Sequence, residues 1–304
     1  MHAEQVGTAR SRKIGLIAIF LVWVTTAVVN SLAKILNENG ISAEEILVFR
    51  SVLCILVALS IAGFGVLKVS FKVMLAGFVM ALSGVAFYRA IEVWQSVNSV
   101  AVVVAFMPVV NIVIGLFEGK RVSGTVIISM TCLILGVVIA LEPWSQPISI
   151  PGLLWAISCV IISGIGFEMW GREPETVTIS QKCFWLSIWA LGMSLAIIGF
   201  SDNETLCLAK YADMRLVKIL VAFAIPVTIY LFLSIVPFSR VGKMNVVTAT
   251  ILIQGCTPAT LIGSYFLVGE RLSLHQWSGV AVALIGASFL SVQTIKTSKP
   301  SEFK

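Results

Sequence analysis

Charge is what this sequence has least of. Only 12% of its 304 residues are Asp, Glu, Lys or Arg, against 58% that are hydrophobic. A soluble domain has no interior large enough for that much apolar surface, so lipid must cover it. The shortage is sharpest for aspartate: Asp202 and Asp213 are the only two, and both lie between the seventh and eighth apolar runs. The two histidines, His2 and His275, fall outside apolar cores. There is no HExxH, no GxSxG, no Cys/His pair and no aspartate within an apolar run. An intramembrane enzyme would have no catalytic cluster to work with, and no cofactor or metal is expected. The cysteines (Cys54, Cys132, Cys159, Cys183, Cys207 and Cys256) contain no CxxC pair, and only Cys207 sits in a loop. For the other five, apolar packing is the default expectation, not disulfides.

What the chain does have is ten apolar runs, at roughly 14–36, 46–66, 71–91, 98–117, 125–141, 152–171, 177–200, 216–238, 246–268 and 273–293. Each is near the 20 or so residues that a spanning helix needs. The fold class is therefore all-α integral membrane, with ten transmembrane helices and short connections. The first run follows "RSRK" and is too long for a signal-peptide core, so it reads as an uncleaved first helix. The net charge of +6 taken alone would suit nucleic acid, but its distribution points elsewhere. With the N-terminus cytoplasmic, 14 Lys and Arg fall on the inner side and 6 on the outer, Arg50 being set aside within helix 2. That excess is a topology signal and places both termini in the cytoplasm. The partners expected are membrane lipid and a small-molecule substrate, not nucleic acid, and the protein is read as a monomer.

The short break "VGERLS" (268–273) echoes "EGKRVS" (118–123). At a constant offset of 150, Pro108 lands on Pro258, Gly119 on Gly269, Arg121 on Arg271, Ser123 on Ser273 and Gly136 on Gly286. This is the pattern of an internal repeat of five helices, over 1–144 and 145–304. Because five is odd, the second copy must enter the membrane from the opposite side. Inverted repeats are a building plan of secondary transporters, with the substrate site near the midplane between halves. In each hairpin the glycine permits the tight turn, the serine can cap the following helix, and the charges hold the turn at the interface.

Three stretches resemble one family. "FRSVLCILVAL" (49–59) is similar to the arginine-bearing second helix of the EamA-type transporters of the drug/metabolite transporter superfamily. "YRAIEVWQSVNSVAVVVAFMPVVNIVIGLFEGKRVS" (88–123) is similar to their helix 3–4 segment. "VPFSRVGKMNVVTATILIQGCTPATLIGSYFLVGERLSLHQWSGVAVALIGASFL" (236–290) is similar to the same segment of their second repeat. Lys120 stands where that family often has glutamate. The resemblance implies ten helices, an inverted repeat, and a central cavity lined by helices 1, 3, 4, 6, 8 and 9, with helices 5 and 10 peripheral. It does not imply a substrate.

Candidate substrate-binding residues come from polar faces within the runs. Trp23, Thr26, Asn30 and Lys34 step along one face of helix 1, and a polar face in lipid must turn toward other helices or a cavity. Arg50, one turn inside helix 2, could attract a substrate carboxylate. It could equally snorkel outward or pair with Glu45 or Glu92 in a structural or gating role. Pro226, Tyr230 and Ser234 share a face of helix 8, and Thr250, Gln254 and Thr257 lie beside Pro258. Pro108 and Pro258 should kink their helices and free carbonyls for a substrate ammonium or solvent. Tyr88, Asn98 and Thr248 complete the set. Small residues at 77, 81 and 84 are expected to serve helix packing alone. The only carboxylates near the spans are Glu92, Glu118 and Glu168, which argues against efflux of lipophilic cations. The function expected is alternating-access transport of a small polar metabolite, such as an amino acid or related zwitterion, across the cytoplasmic (inner) membrane. S-adenosylmethionine-like or nucleotide-like cargo is the alternative, and a non-transport membrane protein a remote one.

Overall fold

The structure, a computed structural model, describes residues 2–119, 124–141, 149–174, 176–200, 213–239, 241–242, 244 and 246–297. Twelve α-helices form among them: α1 (His2–Glu38), α2 (Ala43–Ala62), α3 (Phe71–Trp94), α4 (Val97–Val104), α5 (Met107–Phe117), α6 (Gly124–Leu141), α7 (Ile150–Gly171), α8 (Ile179–Phe200), α9 (Met214–Ile235), α10 (Val246–Ile253), α11 (Cys256–Leu267) and α12 (Leu274–Thr297). They make ten spans, because α4–α5 and α10–α11 each occupy one apolar run. Seven helical segments among the described residues are long and apolar enough to cross a bilayer. Large apolar side chains cover the outer surface, Phe117 and Phe200 being about nine-tenths exposed. Lipid must solvate them, and the chain is a multi-pass membrane protein.

Local chemistry sets the helix ends. Ser42 and Glu45 form a reciprocal capping box, with Glu45 N donating to Ser42 Oγ at 3.2 Å and Ser42 N to Glu45 Oε2 at 2.8 Å. The box starts α2 at Ala43, three residues before the apolar run. Arg50 therefore lies about two turns, or roughly 10 Å, inside the helix rather than one. The fourth and ninth runs are broken rather than simply kinked. Pro108 and Pro258 cannot donate a backbone bond. Just before each, Phe106 N turns back to Val103 O (3.0 Å) and Gly255 N to Leu252 O (3.1 Å), in tight three-residue turns. Gly119 and Gly269 both hold φ near the left-handed region, at 75° and 78°. Ser273 caps α12 as expected, accepting from Gln276 N at 3.1 Å. Residues 120–123 of the matching hairpin, including Lys120, Arg121 and Ser123, lie outside the described residues, as does Cys207.

Packing has a regular plan. α1 packs on α9 and α11, while α7 packs on α3 and α5. α3 and α9 pack on α8 and α2 respectively, α4 on α11, α10 on α5, α2 on α8 and α6 on α12. Exchanging the first five spans with the last five maps this set onto itself. The α6–α12 contact is backbone to backbone: a Cβ on Gly136 would come within 2.5 Å of Gly279 O and Ala283 N, and one on Gly279 within 2.5 Å of Ala140 N. Gly136 facing Ala283 while Ala140 faces Gly279 makes the two helices antiparallel. The small stripe on α3 is only partly a helix seam. A Cβ on Gly77 would lie 3.0 Å from the α8 backbone, but one on Gly84 would instead meet the Arg50 guanidinium at 3.1 Å.

Candidate functional site

A cavity of about 120 Å³ lies between the first five spans and the last five. Its walls come from α1, α3, α4, α5, α7, α9, α10 and α11, with Arg50 of α2 and Leu186 of α8. Among the described residues, none of α6 or α12 reaches it. Six of the ten sequence candidates line it: Thr26, Asn30, Arg50, Tyr88, Tyr230 and Gln254. Ser234 and Thr257 line it as well.

The polar face of α1 runs its whole length against α10, α11 and the hairpin beyond. Asn30 Nδ2 donates to Thr260 Oγ1 at 3.0 Å, and Thr26 Oγ1 sits 3.4 Å from Cys256 Sγ. Both positions thus border the cavity and fasten helices together. Trp23 does only the second. Its Nε1 donates to Leu252 O at 2.9 Å, and its ring fills the space that a side chain at Gly255 would need. Trp23, one of the ten candidates, is thus not on the cavity wall: its indole adds a second donor to Leu252 O, which also accepts from Gly255 N at the break before Pro258.

Two other candidates lie elsewhere. Thr250 is fully buried, donating to Val246 O at 2.9 Å and accepting from Asn111 Nδ2 at 3.1 Å across the α5–α10 contact. Asn98 belongs to a separate polar cavity of about 200 Å³ at the Lys34 end of the bundle and accepts from Ser264 Oγ. The side chain of Thr248 lies outside the described residues. The sequence did not single out Ser83, Cys159, Ser163 and Trp170, which all line the central cavity. Ser83 and Ser163 hydrogen-bond each other, with Cys159 Sγ 3.7 Å from both. The close Gly164 and Gly166 of α7 were the available signal, since they mark where α7 meets α5 and α3.

Among the described residues, Arg50 is the only charged side chain on the cavity wall. It is 5% exposed, so it does not snorkel. The acids proposed as its partners are engaged elsewhere. Glu45 caps Ser42 (2.8 Å), and Glu92 accepts from Arg89 Nη1 (2.9 Å). Arg89 Nε also pairs with the fully buried Glu44 at 2.6 Å. These buried acids in the first turn of α2 are additional to those expected near the spans. Arg50 lies over the Tyr88 ring, Cζ 5.4 Å from its centroid, and the absent side chain of Gly84 gives the guanidinium its space.

Ion pairs join the two halves at both ends of the bundle. At one end Glu270 Oε1 is 2.6 Å from Lys34 Nζ and accepts from Val97 N at 3.1 Å, while Oε2 accepts from Asn98 N at 3.2 Å. Glu270 is therefore the N-terminal anion of α4 as well as half of an ion pair, not merely a charge holding a turn at the interface. At the other end Arg172 pairs with Glu118 and Glu168. Beside it Lys182 Nζ lies 2.8 Å from Glu173 Oε2 and donates to Trp170 O (3.0 Å) and Phe238 O (3.4 Å). Burial pushes the Glu173 carboxyl above its usual 4.5, and Lys182 opposes this only in part.

No family model matches the chain, and neither does any curated protein. A crystal structure of a protein superposes with a TM-score of 0.63 over 96% of this chain and 99% of that one, at 16% identity. At that identity the likeness shows the fold alone.

Proposed function

We propose that the protein is a secondary transporter of the EamA type that moves a small polar metabolite by alternating access. On this reading residues 1–144 and 145–304 are two inverted five-helix repeats. The observation that carries it is the central cavity, walled by side chains of both halves, with ion pairs joining the halves at either end of the bundle. The exchange symmetry of the packing and the antiparallel α6–α12 contact support the inversion. Two halves of like fold and opposite orientation can trade conformations, giving inward-open and outward-open states of similar energy. The chain is placed in the cytoplasmic (inner) membrane as a monomer, both termini inside. The Arg172 end is then cytoplasmic and the Lys34 end external, in keeping with the Lys and Arg excess.

Counterflow tests the function. Liposomes bearing the purified protein are preloaded with unlabelled amino acids, nucleotides, sugars or S-adenosylmethionine, and uptake of trace labelled solute is followed. Accumulation with one chemical class supports the proposal. A folded protein that moves none of them overturns it, and activity in detergent without two compartments would mark an enzyme instead.

A further inference from the structure

We infer that the central cavity takes a solute bearing a carboxylate, and that Arg50 is the residue that selects it. The inference rests on the transport reading for its physiological setting, but the site stands on its own geometry. Among the described residues, three polar groups in the cavity wall are buried without a hydrogen-bond partner: Arg50 Nε, Gln254 Nε2 and Trp170 Nε1. All three are donors. A buried donor left unmade is costly, and a buried cation without a counterion more so. Buried donors of this kind are completed by ordered water or by what the cavity binds. The missing partner is an acceptor with negative charge. A carboxylate supplies two acceptor oxygens in the plane that a guanidinium fork matches.

The surroundings narrow the class. Among the described residues no acidic side chain lines the cavity, so a cationic solute would meet the Arg50 charge unscreened. Met80, Phe87, Phe167, Leu231 and Ile253 make much of the wall apolar. A compact apolar body attached to the carboxylate would fit there, and a zwitterion's ammonium could rest on the faces of Tyr88 or Tyr230. A multiply charged or wholly polar solute would leave those walls poorly used.

The test uses the full chain in lipid nanodiscs and liposomes. Its probes are matched pairs that differ only in charge: L-amino acids and short aliphatic and aromatic monocarboxylates, each beside its primary amide. Binding is read from the rise in apparent Tm, and transport from counterflow. We expect at least one acid to bind about tenfold or more tightly than its amide. Arg50→Gln should abolish that preference, and Arg50→Lys should keep it at lower affinity. The acid-to-amide ratio in the unsubstituted protein decides the matter even where Arg50→Gln fails to fold. Acids and amides that bind alike, an acid-blind protein, or undiminished acid preference in folded Arg50→Gln would each overturn the inference. Counterflow without charge preference would leave transport standing and remove the carboxylate site. Acid-selective binding without counterflow would do the reverse.

Discussion

The ion pair between Lys34 and Glu270 gives a coupling energy that can be worked out beforehand. The side chains are 12% and 13% exposed, with Nζ and Oε1 2.6 Å apart. Coulomb's law at that distance gives roughly 6 kcal/mol of attraction at an effective dielectric of about 20. Desolvation offsets most of it, and a net coupling of about 2 kcal/mol remains for a close, mostly buried pair. Glu270→Gln keeps an oxygen for Val97 N or Asn98 N and loses only the charge, so it should cost about 1–2 kcal/mol. Lys34→Met leaves the carboxylate its two backbone donors and the α4 N-terminus, and should cost a similar amount. If the two groups act through each other, the double variant costs distinctly less than the sum. A double-mutant cycle of denaturant unfolding in mixed micelles, followed by far-UV circular dichroism, measures this. Effects that add to within about 0.5 kcal/mol would refute the coupling and leave Glu270 as a helix cap alone.

Three further outcomes can be checked directly. Gly279→Ala puts a methyl 2.5 Å from the α6 backbone and should lower the apparent Tm, whereas Gly192→Ala meets nothing within 4 Å and should raise stability by about 0.5–1 kcal/mol; equal responses would refute the α6–α12 seam. Trp23→Phe removes the hydrogen bond to Leu252 O and should cost about 1 kcal/mol while leaving the KM of any transported solute unchanged; a raised KM would return Trp23 to the binding site. Glu173 holds its proton more tightly folded than unfolded, because burial raises its carboxyl above 4.5. Its contribution is therefore present below the unfolded value and lost as pH rises through the folded one. Melting curves should show the unsubstituted protein losing stability relative to Glu173→Gln as pH rises upward from about 4.5, the ordinary glutamate value, and parallel curves would contradict this.

The spans were legible because lipid is an undemanding solvent to read: nearly any run of about 20 apolar residues must cross it. The turns were legible too, since Gly119 and Gly269 carry the positive φ that their position between helices requires. Partner choice was harder to read. Periodicity put Trp23, Thr26, Asn30 and Lys34 on one face, but their partners lie some 230 residues away, at Leu252, Cys256, Thr260 and Glu270. No local pattern says which of these contacts encloses a void and which fills one. Arg50 shows the same limit. The sequence offered Glu45 and Glu92 as counterions by proximity, yet capping and Arg89 had already claimed them.

The two ends of the bundle are built from the same plan but closed to different depths. In each, a cation near the C-terminal end of the first helix of one half meets a glutamate at the hairpin end of the other half: Lys34 with Glu270, and Arg172 with Glu118. The first pair is nearly dry and braced by the α4 amides, while Arg172 is 54% exposed and Glu118 32%. An exposed pair is screened by water and worth a fraction of a buried one. On the transport reading the Lys34 end is the firmly shut gate here and the Arg172 end the readier to part. Substitutions at Glu118 should then shift the conformational balance less than substitutions at Glu270. Thiol labelling of a cysteine placed at Asn30 from the Lys34 side should accelerate in Glu270→Gln and hardly change in Glu118→Gln. Equal acceleration in both would mean that the depth of these pairs does not set which way the cavity opens.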